Sequence, residues 1–102
     1  MVYEVVFAPE VRDDLLQLYD FIAARSGPAR ARAYADRILS YCLGFETFPE
    51  RGTCRDDLRP GLRVVGFARR VTIAFHITGG TVAIDRVLYG GRDPTTALRG
   101  DP

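Results

Sequence analysis

Residues 61–93 read GLRVVGFARRVTIAFHITGGTVAIDRVLYGGRD, and the fold follows from their alternation. Val71, Ile73, Phe75 and Ile77 fall on one side of a period-2 strand, with Arg70, Thr72, Ala74 and His76 on the other. That is the pattern of a half-buried strand. Thr78-Gly79-Gly80-Thr81 separates this run from the β-branched stretch Val82 to Leu88, and glycine tolerates the positive φ that a tight hairpin demands. Segments 70–77 and 81–89 are therefore expected to pair as a hairpin. A shorter run, Leu62 to Val65, precedes them through Gly66-Phe67-Ala68-Arg69, a connection short enough to favour antiparallel pairing. The expectation is a three-stranded meander with arginine recurring at its solvent-facing positions.

Working back toward the N-terminus, Val2 to Phe7 is a β-rich run bounded by Ala8-Pro9, and Pro9 suits a helical first turn because its missing N–H would be unpaired there. Glu10, Asp13 and Asp14 place negative charge near the positive end of the helix dipole. Val11, Leu15, Leu18 and Ile22 recur on one helical face. Ser26-Gly27-Pro28 stops that helix and starts another, whose stripe is Ala31, Ala35, Ile38, Cys42 and Phe45, widened by Tyr34, Leu39 and Tyr41. Phe48-Pro49-Glu50-Arg51-Gly52 closes the hairpin, and Thr53 to Pro60, which has no clean period, is expected to be a loop. The order is β-α-α-β-β-β, an α+β domain in which an antiparallel sheet packs on one helical hairpin.

The chain has 102 residues, enough for one domain and too few for a second catalytic one. Its 14 basic residues, all arginine, nearly balance 13 acids, but the two halves differ: residues 1–50 hold 5 arginines against 8 acids, and 51–102 hold 9 against 5. The C-terminal half is the cationic one. Two cysteines twelve residues apart and one histidine are too few soft ligands for a tetrahedral metal site, and no cofactor is expected. Cys42 lies on an apolar helical stripe and Cys54 in the polar loop. No basic n-region, long apolar h-region or membrane-length run occurs, so the expected location is the reducing cytoplasm, without membrane contact.

With these residues in place, nearly the whole chain resembles the RelE/ParE superfamily of type II toxin–antitoxin toxins. The resemblance runs through Pro9-Glu10-x-x-x-Asp14-Leu15, Phe48-Pro49-x-x-Gly52, Gly61-Leu62-Arg63 and, most specifically, Ile84-Asp85-Arg86-Val87-Leu88-Tyr89-Gly90-Gly91-Arg92-Asp93. This ending is more similar to the ParE branch than to the ribonuclease branch, although ParE-like chains commonly carry histidine where Tyr89 stands. The superfamily implies two activities: inhibition of DNA gyrase, or ribosome-dependent cleavage of messenger RNA. It also implies neutralisation by a cognate antitoxin.

Metal-free RNA cleavage needs a base for the 2′-hydroxyl, an acid for the leaving oxygen and cations for the phosphorane. Arg63, Arg86 and Tyr89 supply cations and an acid, but no convincing base: arginine stays protonated and tyrosine ionises near ~10. His76 lies mid-strand, where a solvated or hydrogen-bonded role is the commoner one, and Asp85 and Asp93 adjoin arginines as expected ion-pair partners. A non-enzymatic toxin asks less, presenting Arg63, Arg69, Arg70, Arg86 and Arg92 to its target. Arg86 stands out because it interrupts an apolar run and must find a partner or reach solvent through a bulge.

Tyr19 and Phe21 flank the stripe of the first helix and Leu16 lies farther round, more apolar surface than one core contact needs. The resemblance implies an antitoxin segment lying across Leu16, Tyr19, Phe21, Tyr34 and Tyr41; a larger core or self-association would also account for the surface. The toxin domain is expected over 1–93, with 94–102 a flexible tail. Three readings stay open: a gyrase inhibitor without chemistry of its own, a messenger ribonuclease, and a decayed member that binds antitoxin without toxicity.

Overall fold

The computed structural model describes residues 2–90. Strand β1 (Glu4–Phe7) leads into α1 (Pro9–Ser26) and α2 (Pro28–Leu43), followed by one 3-10 turn (Gly44–Glu46) and strands β2 (Thr53–Cys54), β3 (Leu62–Phe67), β4 (Val71–Thr78) and β5 (Thr81–Tyr89). Pro9 and Pro28 each open a helix, and Gly27, with φ of 91°, is the only residue between them. A turn so short makes the helices neighbours, and they lie together against the sheet.

The sheet has five strands in the order β1-β5-β4-β3-β2. Its last three strands form the expected meander, β4 pairing with β5 from Val71↔Tyr89 to Thr78↔Thr81 around Gly79-Gly80. Three features differ from the sequence expectation. First, the sheet is mixed: β1 runs parallel to β5, Glu4 opposite Thr81 and Phe7 opposite Ile84. The helical hairpin and three strands between them give ample chain for a return in the same direction. Secondly, Thr53 and Cys54 are not loop but an edge strand paired with Val64 and Arg63. Thirdly, Gly66 and Phe67 belong to β3, and the turn into β4 is Ala68 to Arg70, with Ala68 and Arg69 both left-handed (φ 52° and 69°).

The core lies between the helices and one sheet face: Leu18, Ile38, Phe45, Ile73, Phe75 and Ile84 are all essentially inaccessible. Phe45 is in the 3-10 turn after α2, where it packs against Phe75 with centroids 4.6 Å apart. A smaller cluster, Leu58, Leu62 and Ala74, fills the opposite sheet face beneath the 55–61 segment. Among the described residues no helix is long and apolar enough to cross a membrane.

Gly52 explains the exit motif. Its φ is +70°, and a Cβ there would overlap the carbonyl oxygen of Val64. Gly52→Ala is expected to cost at least about 2 kcal/mol, because left-handed strain of roughly 1–3 kcal/mol adds to the displacement of β3; a denaturant midpoint unchanged from the parent would contradict this. The two thiols should also behave oppositely. Burial pushes the Cys42 thiol up to about 12, whereas Cys54 is exposed. In native protein a maleimide should label Cys54 alone, with Cys42 reacting only after unfolding. A folded pKa above the unfolded one keeps the proton on through pH 9, so this contribution to stability is complete below about 9 and declines as pH rises toward 12.

Candidate functional site

The sequence read Asp14 as a dipole charge, but it sits only 60° round from Val11 on the buried stripe of α1 and is itself buried. Its carboxylate accepts both arms of Arg86, Nε at 2.8 Å and Nη2 at 2.8 Å, and also the backbone N–H of Val87 at 2.9 Å. The hydrogen bonds to Asp14 hold the Arg86 guanidinium pKa above its ordinary value, so it is charged throughout the range in which a protein folds. A bidentate pair with a third donor meets the condition under which a buried charge is tolerated.

This clamp coincides with a β-bulge. Ala74 pairs with Arg86 while Phe75 pairs with Ile84, leaving Asp85 as the extra residue. Before the bulge the even-numbered Val82 and Ile84 face the helices; after it the odd-numbered Val87 and Tyr89 do. The bulge therefore decides which face Tyr89 occupies, and it delivers that ring between α1 and α2, 5.3 Å from Phe21 and 6.0 Å from Tyr34. Arg86 thus meets both alternatives read from the sequence, a partner and a bulge.

The expected arginine array on the sheet breaks up accordingly. Arg86 is committed to Asp14. Arg63 donates Nε to the Arg51 carbonyl at 3.0 Å and Nη1 to Cys54 Sγ at 3.1 Å, tying the edge strand to β3. Arg69 and Arg70 are exposed at the strained turn, where the Arg70 carbonyl accepts the Gly90 N–H at 2.9 Å. Arg92, Asp93 and the 94–102 tail lie outside the described residues. Asp85 does not pair with an arginine but with His76, Nδ1 to Oδ2 at 2.7 Å, because the bulge turns it away from Arg86 and toward β4. His76 is thus hydrogen-bonded in a structural pair, the ordinary role expected of it.

Nor do Arg63, Arg86 and Tyr89 converge. Arg63 stands opposite Phe75, whereas Tyr89 stands opposite Val71, four residues further along β4. At about 3.3 Å per residue and nearly 5 Å per strand, their backbones are roughly 16 Å apart.

The apolar residues divide among three places. Leu16 and Tyr19 join Phe7, Pro9, Leu15 and Leu39 in a groove of about 500 Å3 running between β1, α1 and α2. Phe21 and Tyr34 line a different cleft, of about 390 Å3, between the end of α1 and the start of α2, closed by Tyr89. Tyr41 belongs to neither; it packs on Phe45 and Phe67 beneath the Arg51 guanidinium. The sequence reading missed Arg25, Arg30 and Arg37, which share the cleft with Phe21 and Tyr34. The available signal was spacing: Arg30, Tyr34 and Arg37 recur at i, i+4 and i+7 on α2. Burial raises the Tyr34 hydroxyl above its ordinary pKa, assisted by Tyr89 and opposed by Arg37 and Arg70, so it is a protonated donor at neutral pH. Among the described residues no group of three or more His, Cys, Asp or Glu is placed to hold a metal.

Comparison with known proteins agrees with this architecture. Residues 5–94 match the family model described as the ParE toxin of the type II toxin–antitoxin system parDE. Toxin ParE3 of Caulobacter vibrioides is 31% identical over 86 residues, an alignment covering 84% of this chain and 85% of that protein. A solved structure described as a chromosomal ParDE TA system from P. aeruginosa superposes with a TM-score of 0.76 at 20% identity, covering 87% of this chain and 97% of the other. At that identity it speaks to the fold.

Proposed function

Because the chain belongs to the ParE toxin family of type II toxin–antitoxin systems, we propose that it inhibits DNA gyrase by docking rather than by chemistry of its own, and that a cognate antitoxin silences it. The observation that supports the first half is the dispersal of the three residues the sequence offered as acid and cations: Arg86 is held by Asp14, and Arg63 is bound to its own chain far from Tyr89. A cleavage site needs these groups within reach of one phosphate. A docking surface needs only exposed cations, and Arg69 and Arg70 on the turn between β3 and β4 provide them.

For the antitoxin, support comes from the groove between β1, α1 and α2. Leu16 is half exposed there, and among the described residues the only charged side chain in the lining is Arg12. An amphipathic segment with an acidic rim residue would cover the apolar floor and pair with Arg12. The proposed toxin domain spans 1–93, and it acts in the cytoplasm, where gyrase and antitoxin are both found.

The test is to incubate the purified chain with gyrase, ATP and plasmid and to score supercoiling and protein-linked linear DNA after protease treatment. Lost supercoiling or accumulated linear DNA is expected, reduced in Arg69→Ala with Arg70→Ala. Arg86→Ala is the wrong probe, since it would report on folding. Unaffected gyrase together with shortened transcripts in expressing cells would move the function to translating ribosomes.

A further inference from the structure

We propose that the cleft between the end of α1 and the start of α2 binds single-stranded nucleic acid, with arginines on the phosphates and aromatic rings against a base. The cleft is built by two helical periodicities that meet. From α1 come Phe21 and Arg25, one turn apart; from α2 come Arg30, Tyr34 and Arg37, with Ala33 keeping the floor open. Tyr89 closes the end, put there by the bulge at Asp85.

Three properties distinguish this cleft from a solvated charged face. Among the described residues no carboxylate lines it. None of Arg25, Arg30, Arg37 and Arg70 makes a carboxylate ion pair among the described residues. Two of the guanidiniums are instead ordered on rings, Arg25 4.5 Å from the Phe21 centroid and Arg37 5.9 Å from that of Tyr34. Arg70 stands past Tyr89 in an adjoining hollow of about 350 Å3 that shares Phe21 and Tyr89 with the cleft, and the carboxylate in its lining, Asp14, is bound by Arg86. The left-handed pair Ala68-Arg69 and the bond from the Gly90 N–H to the Arg70 carbonyl hold that turn in place.

Unneutralised arginines beside stacking surfaces suit a phosphodiester strand, which offers charge to the forks and a flat face to the rings. An acidic peptide satisfies only the first. A volume of about 390 Å3 is on the scale of a single nucleotide, and only an unpaired base offers its face to the rings, which favours a single strand over duplex.

The inference is independent of the gyrase reading, because its test contains no topoisomerase and either can fail alone. The full chain is titrated into fluorescein-labelled dT12 and rU12 and followed by anisotropy from 50 to 200 mM salt. Four engaged cations give a salt slope of about −2.8, so affinity should fall roughly fiftyfold across that range. Arg25→Ala with Arg30→Ala should flatten the slope by about 1.4, and Phe21→Leu should weaken binding about tenfold at constant salt. Arg32→Ala, a single charge change on another face of α2, should leave both unchanged, whereas Arg30→Ala alone should flatten the slope by about 0.7. Circular dichroism and melting of each variant separate lost binding from lost fold. Preference for one oligonucleotide identifies the source of the strand, DNA or RNA. Absence of binding at 50 mM salt, equal competition by a polyglutamate peptide of matched charge, or unchanged affinity in folded Arg25→Ala/Arg30→Ala protein would overturn the proposal.

Discussion

Asp14→Ala is expected to destabilise the fold by roughly 3–5 kcal/mol, the cost of removing one partner from a buried ion pair. A domain of this size has only about 5–15 kcal/mol in total, so the variant should be largely unfolded on mild heating. Two groups are stranded at once: the Arg86 guanidinium, held in a site that is only 20% exposed at its side chain, and the Val87 N–H, which has Asp14 as its acceptor. Arg86→Ala should cost less, because it leaves the carboxylate with the Val87 N–H still bound. Replacing both, Asp14→Leu with Arg86→Met, should recover most of the loss, since apolar isosteres of a buried pair are often neutral. It should not recover all of it, because an orphaned backbone donor costs about 1–3 kcal/mol. Urea midpoints of the four proteins check the scheme; equal stability of Asp14→Ala and parent would disprove the clamp. Loss of the clamp also removes the restraint on the bulge, so any folded Asp14→Ala protein should show altered Tyr89 ring contacts.

The second large effect concerns the antitoxin. Leu16→Glu combined with Tyr19→Glu should weaken the complex by at least about a hundredfold, near 2.7 kcal/mol, because central apolar anchors dominate an interface and a carboxylate placed on the groove floor is desolvated without a partner. Leu16 is 52% exposed, so its replacement leaves the core intact. Tyr19 is partly buried and packs on the core, so Leu16→Glu alone is the cleaner variant and should retain most of the effect. Leu43→Glu, equally exposed but outside the groove, supplies the control. Unchanged affinity of Leu16→Glu in a calorimetric titration with the antitoxin would remove the groove from the interface, and a melting curve matching the parent would show that folding is not the cause.

Much of the architecture could be read from spacing. The helical stripe from Val11 to Ile22, the Ser26-Gly27-Pro28 break and the hairpin around Gly79-Gly80 are local patterns, and each is where it was expected. Such features depend on residues within one turn or one strand, whose geometry follows from 3.6- and 2-residue periods. The candidate site was less legible. For Arg86 the interrupted apolar run called for a partner or a bulge but could not name Asp14; for Arg63 strand parity gave no sign of its bonds to Arg51 and Cys54; and a helical wheel does not show the ring of Phe67 beside Tyr41.

By itself, then, the amino-acid order determined the six main elements, their sequence along the chain, the meander and the family. Tertiary structure alone decided that β1 lies parallel to β5, that Thr53-Cys54 forms an edge, that Asp14 and Arg86 pair across 72 residues of separation, and that Tyr89 turns toward the helices. The physical reason is that each depends on a partner distant in sequence, a strand to pair with, a charge to bind or rings to pack on, and that partner is chosen by the packed chain rather than by neighbours in sequence.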